Sequence, residues 1–127
     1  MQLLLDTHAF LWWLKADPKL GPEARSVISD GENDVYISAA TAWEIAVKRA
    51  NGKLDAPGDI VDWITRSDFT DLPITVEHAI AAAELPPHHH DPFDRLLVAQ
   101  ARLEDLTLVA HDREIEKYEV PQLAARE

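Results

Sequence analysis

Four acidic residues stand just after short apolar runs or at the start of the helices around them. Asp6 follows Leu3-Leu4-Leu5, and Asp112 follows Leu108-Val109-Ala110-His111. Glu44 falls in the second turn of a helix expected after Val35-Tyr36-Ile37-Ser38, and Asp94 opens the helix expected before the last main strand. Each acid has an ordinary structural use. Asp6 or Thr7 can cap a helix, and so can Asp112. Asp91 can cap with Pro92 at the first helical position and Asp94 at the third, a variant of the capping box. Glu44 precedes Lys48 by four residues, the favourable order for a helical ion pair. Gathered at one place, however, like charges raise one another's pKa and oppose folding, and a divalent cation relieves this. The chain has no cysteine, so the donors are hard oxygens that suit Mg²⁺ or Mn²⁺. Such ions beside a phosphodiester activate water and stabilise the leaving oxygen. The chemistry that fits is metal-assisted phosphodiester hydrolysis without a covalent intermediate.

The elements that must position these acids alternate between strand and helix. Strands are expected at 2–5, 35–38, 72–74 and 106–110, with a last edge strand at 118–120. Helices are expected at 7–16, 22–30, 40–51 (with Gly52 as its cap), 58–67, 76–85 and 93–103, and a helical turn at 112–117. This alternation predicts an α/β fold with a mainly parallel sheet, in which ligands sit beyond the carboxyl ends of the strands. With 127 residues, the chain has the size of a single domain, 1–127.

The 12 Lys and Arg against 23 Asp and Glu leave a net charge of -11. Such a surface repels nucleic acid at long range. A polyanionic substrate would therefore need bound metal, a few local cations, or a basic groove built by a dimer. No run approaches the roughly 20 apolar residues of a membrane span, and Leu3–Leu5 is too short for a signal peptide. The expected location is cytoplasmic, with no membrane contact.

Leu4-Leu5-Asp6-Thr7-His8, Trp43-Glu44-Ile45, Pro92-Phe93-Asp94-Arg95-Leu96-Leu97-Val98-Ala99-Gln100-Ala101 and Leu108-Val109-Ala110-His111-Asp112 resemble, in this order and spacing, the PIN-domain family, and within it the VapC-type toxins of toxin–antitoxin pairs. The resemblance runs from Leu3 to about Val120. It implies a three-layer α/β/α fold and an endoribonuclease whose acidic site, Asp6, Glu44, Asp94 and Asp112, uses Mg²⁺ or Mn²⁺. Asp6 and Asp94 would ligate the metal directly, and Asp112 directly or through water. Glu44 would bind a second ion or orient the attacking water. Thr7 would support the first aspartate. The resemblance also implies an RNA substrate, inhibition by a cognate antitoxin, and a homodimer. One position departs from the commoner pattern, since His111 stands where a Thr or Ser often precedes the last Asp.

Other residues have two readings each. Arg95, Arg113 and Lys48 are candidate phosphate contacts, or else internal partners of nearby acids. His88-His89-His90 reads as a solvated loop at the rim of the site that helps hold RNA, because adjacent side chains of an extended segment cannot all face one ion. His8 reads as a packed histidine. Trp12, Trp13, Trp43 and Trp63 read mainly as core. Trp12 and Trp13 cannot share a helix face, so the segment 10–14, with the helix near 58–69, is the expected partner surface. The competing function is a non-catalytic α/β binding or regulatory domain whose acids are caps and surface charge. Aspartyl-phosphate chemistry fits poorly, because position 8, two residues after Asp6, is His rather than a second Asp.

Overall fold

The computed structural model describes residues 1–56 and 58–126. Five strands, β1 (Gln2–Leu5), β2 (Asp34–Ser38), β3 (Thr70–Leu72), β4 (Thr107–Ala110) and β5 (Gln122–Ala124), form one sheet in the order β3-β2-β1-β4-β5. Every pairing is parallel. The helices are α1 (Thr7–Leu14), α2 (Pro22–Ser29), α3 (Ala39–Ala50), α4 (Ile60–Arg66), α5 (Val76–Glu84) and α6 (Pro92–Glu104), with a 3₁₀ turn at Arg113–Lys117.

Alternating side chains explain the layers. Leu3, Leu5, Val35, Ile37 and Val109 point to one face and pack with Phe10, Trp12, Ala24, Ile28 and Ile64. Leu4, Leu108 and Ala110 point to the other and pack with Leu97, Val98, Ala101 and Ile115. A sheet covered on both faces needs apolar residues at consecutive positions, and Leu3-Leu4-Leu5 supplies them at its centre. The expected three-layer α/β/α arrangement is therefore observed.

Two strand positions differ from expectation. The third strand is Thr70–Leu72, not 72–74, because Pro73 has no N–H to give a ladder. The last strand is Gln122–Ala124, not 118–120. Tyr118 is buried in the second core instead, and its hydroxyl donates to the Pro86 carbonyl (2.8 Å). The helix at 58–67 is shorter, beginning at Ile60 after the Asp59 cap. Past α3, Gly52 takes φ +69°, the left-handed turn that lets Lys53 N–H reach Lys48 O (2.8 Å).

Candidate active site

Strand order places the site. β1 is central, β2 and β3 build outward on one side, and β4 and β5 on the other. The direction of winding thus reverses between β1 and β4, the position where open parallel sheets bind ligands. Asp6 directly follows β1, and Asp112 follows β4 by two residues.

Asp6 is 2% exposed. One carboxylate oxygen caps α1 by accepting from Ala9 N–H (2.8 Å), and the other accepts from His111 N–H (2.9 Å). Burial nevertheless pushes its pKa up, against both hydrogen bonds and the nearby His8 and His111. The backbone of residue 111 does this holding. Its side chain turns away to meet the rings of Trp12 and His8, so the departure at that position leaves the grip on Asp6 intact.

Glu44, 5% exposed, faces inward from α3. The Thr7 hydroxyl donates to one of its oxygens (2.6 Å), and Lys48 Nζ pairs with the other (2.7 Å). Thr7 therefore supports Glu44 rather than Asp6. Lys48 holds its proton more tightly because it bonds Glu44. Of its two readings, the structure displays the internal pair.

Asp94 stands in the first turn of α6. Asp91 caps that helix, accepting from Phe93 N–H (2.8 Å) and Asp94 N–H (3.4 Å). The Asp94 carboxyl is pushed up to about 7, first by burial and then by the charges of Asp91, Asp6 and Glu44. Asp6 and Glu44 thus act on Asp94 through their charge, whereas the groups within ligand distance of one another among the described residues are His89, Asp94 and Asp112.

His89 joins the fourth acid to them. Its Nε2 lies 3.0 Å from Asp94 Oδ2 and 3.1 Å from Asp112 Oδ2. Its Nδ1 accepts from Asp91 N–H (3.1 Å), the bond that a capping box would give to Asp94. An accepting Nδ1 requires the hydrogen on Nε2. The ring thus donates to both carboxylates and cannot ligate a metal in this orientation. Asp112 also caps the 3₁₀ turn through Glu114 N–H (2.8 Å).

The expected rim loop therefore divides. His88 and His90 are exposed, whereas the His89 side chain is only 12% exposed and enters the site. Arg95 and Tyr118 hold the loop. The Tyr118 hydroxyl accepts from His89 N–H (3.0 Å). Arg95 donates to the carbonyls of Ala82 (2.8 Å), Leu85 (3.0 Å) and His89 (3.1 Å). Its guanidinium is committed to these carbonyls and pairs with no acid among the described residues. Arg113 is exposed, and no described residue pairs with it.

Two further residues escaped the sequence reading. Gln100, fully buried, takes a hydrogen bond from the Ser38 hydroxyl and donates to Pro73 O (3.2 Å). The same Ser38 oxygen caps α3 through Ala40 N–H (2.9 Å). This link fastens the helix bearing Glu44 to the helix bearing Asp94. Its only trace in the sequence is a lone amide inside an apolar stretch.

Of the tryptophans, Trp12 is buried as expected and Trp13 is half-buried against Phe69. The exposed one is Trp43, at 60%.

A model of the PIN domain matches residues 3–121. Ribonuclease VapC22 of Mycobacterium tuberculosis is 26% identical over 123 residues, 94% of each chain. Ribonuclease VapC16 of the same organism is 36% identical over 63 residues, 47% of this chain and 44% of that one. Two solved structures have the same fold. VapBC2 from Rickettsia felis, bound to a promoter DNA fragment, matches with a TM-score of 0.69 at 14% identity, over 97% of this chain and 98% of that one. A toxin–antitoxin complex from Klebsiella pneumoniae matches with a TM-score of 0.68 at 17% identity, over 98% of both.

Proposed function

Since the chain belongs to the PIN-domain family, we propose that it is a metal-dependent endoribonuclease, the toxin of a toxin–antitoxin pair. RNA is its substrate and a cognate antitoxin protein its inhibitor. The relatives named ribonuclease VapC and the neighbours solved as toxin–antitoxin complexes support this reading. The observation that carries it is the grouping of Asp94 and Asp112 on His89 beyond the winding reversal that Asp6 marks, with the Asp94 carboxyl pushed up to about 7 by burial and by the charges of Asp91, Asp6 and Glu44. Caps alone do not require mutual repulsion. Asp6, Asp91 and Asp112 do cap, but the second oxygen of Asp112 meets His89 beside Asp94, and the charges of Asp6 and Asp91 act on Asp94.

The donor set fits Mg²⁺ or Mn²⁺. It is all carboxylate, and its excess negative charge is what a divalent cation neutralises. Asp6 and Asp94 would ligate directly, and Asp112 directly or through water. When bound, the ion would polarise the phosphate and lower the pKa of the attacking water. Asp6 needs no rearrangement for this, because two backbone N–H groups fix it and each oxygen keeps a free lone pair. Glu44, anchored by Thr7 and Lys48, would bind a second ion or orient the attacking water. His89 sets the spacing of Asp94 and Asp112. Of the three candidate cations, Arg113 is the one without an internal partner among the described residues, and it would meet phosphate.

The test is cleavage of a small-RNA pool with Mg²⁺ or Mn²⁺ by the unmodified protein and by Asp94→Asn. Discrete fragments that need metal and vanish in the variant support the reading. Folded, antitoxin-free protein that cuts nothing would return the choice to a non-catalytic binding domain.

A further inference from the structure

Building on the nuclease reading above, we propose that Trp43, backed by Phe93, is a stacking platform for an unpaired base of the RNA strand being cut. Trp43 immediately precedes Glu44 on α3, and Phe93 immediately precedes Asp94 in the first turn of α6. Consecutive helical residues point about 100° apart, so a buried Glu44 leaves Trp43 at the rim. The two rings meet edge to face, with centroids 5.3 Å apart and planes at 68°. Their contact joins the two helices that carry Glu44 and Asp94, which puts the indole beside the carboxylates rather than on a remote surface. An edge-to-face contact fixes a ring without hiding both its faces, and Trp43 is 60% exposed.

Charge favours an aromatic device here. At a net -11, the protein's overall field repels RNA, and Lys48 and Arg95 are already engaged internally. Stacking needs no charge, and every base has a face to offer. A paired base in a helix has both faces covered, so the platform selects a single-stranded segment, a loop or a tail. Trp43 would thereby hold the strand while the acids act on its backbone.

Val47, one turn further along α3, is also exposed, and a protein partner is the competing occupant. The test uses the cleavage-impaired Asp94→Asn background with a labelled oligouridylate, alone and annealed to oligoadenylate. Trp43→Ala should weaken binding of the single strand by about tenfold, and Trp43→Phe by much less. Duplex binding should be weak and unchanged. In otherwise unmodified protein, Trp43→Ala should raise KM and spare kcat. An exposed side chain contributes little packing to the fold, and a melting curve checks that the variant is folded. RNA affinity and KM untouched by Trp43→Ala overturn the platform while the nuclease reading stands, even if antitoxin binding falls. Failure of the Trp43-intact protein to bind or cut any RNA overturns both.

Discussion

Asp94 is the residue with most at stake. Its carboxyl ordinarily titrates near 3.8 and here is pushed up to about 7 by burial and by three neighbouring acids. The folded form therefore holds this proton more tightly than the unfolded form does. Without metal, the fold loses stability as pH rises from about 4 to about 7, and the full cost persists above that. Asp94→Asn removes the cost. In chelator-treated buffer, its Tm should exceed the unmodified protein's by several degrees at pH 8, and the gap should close toward pH 4, as read by calorimetry. His89 acts the other way on Asp94, since its proximity favours the ionised form. Loss of that ring raises the Asp94 pKa further. His89→Ala should thus move the acid limb of the cleavage pH profile upward. An unmoved limb would mean that His89 contributes packing only. The aspartates after apolar runs were legible in the sequence because their order and spacing mark strand ends. His89 was not, because its role depends on the loop folding back to place one imidazole of three between Asp94 and the more distant Asp112.

At the scale of elements, the site is held by helix ends. Asp91 caps α6 and, through its own N–H, also sets the tautomer of His89. Asp91→Ala should cost about 1 kcal/mol in denaturant unfolding, and cleavage should fall by more than that loss explains, because the turn that carries Asp94 loses its cap while the N–H that holds His89 stays. Arg95 fastens the last carbonyls of α5 and the His loop to α6. Arg95→Ala leaves those carbonyls without their donor and should destabilise the fold by roughly 2–4 kcal/mol. Arg95→Lys should recover only part, since an ammonium lacks the planar fork. Cap positions were readable at Asp6, Asp91 and Asp112, because Asp before a helical pattern has a local cause. The destination of Arg95 was not, since a guanidinium beside an acid in sequence gives no sign that it serves carbonyls behind it.

For the whole molecule, the excess negative charge and the parallel sheet bear on the same question. The sheet gathers carboxylates at its winding reversal, and the fold tolerates them at the expense of stability. Millimolar Mn²⁺ should therefore raise the Tm of the unmodified protein by several degrees, and that of Asp94→Asn much less. Differential scanning fluorimetry reads this directly. The parallel α/β class followed from the alternation of strands and helices, and Leu3-Leu4-Leu5 read as a buried strand because a strand covered on both faces has no polar side to show; the three layers came with the family resemblance. The third and fifth strands were misplaced by two and four residues. Short edge strands carry little pattern, and what set them was pairing: Leu72 with Ser38, and Gln122 with Leu108.

The order of apolar runs, caps and acids along the chain was sufficient for the fold class and the family resemblance, and for nominating four carboxylates, since each rests on local pattern or spacing. Tertiary structure alone decided that His89 faces Asp94 and Asp112, that Thr7 serves Glu44, that Ser38 and Gln100 tie α3 to α6, and that Trp43 is the open indole. These are contacts between residues far apart in sequence. They depend on how helices dock across the sheet, and side-chain geometry of that kind is set by packing, not by any periodicity a single chain displays.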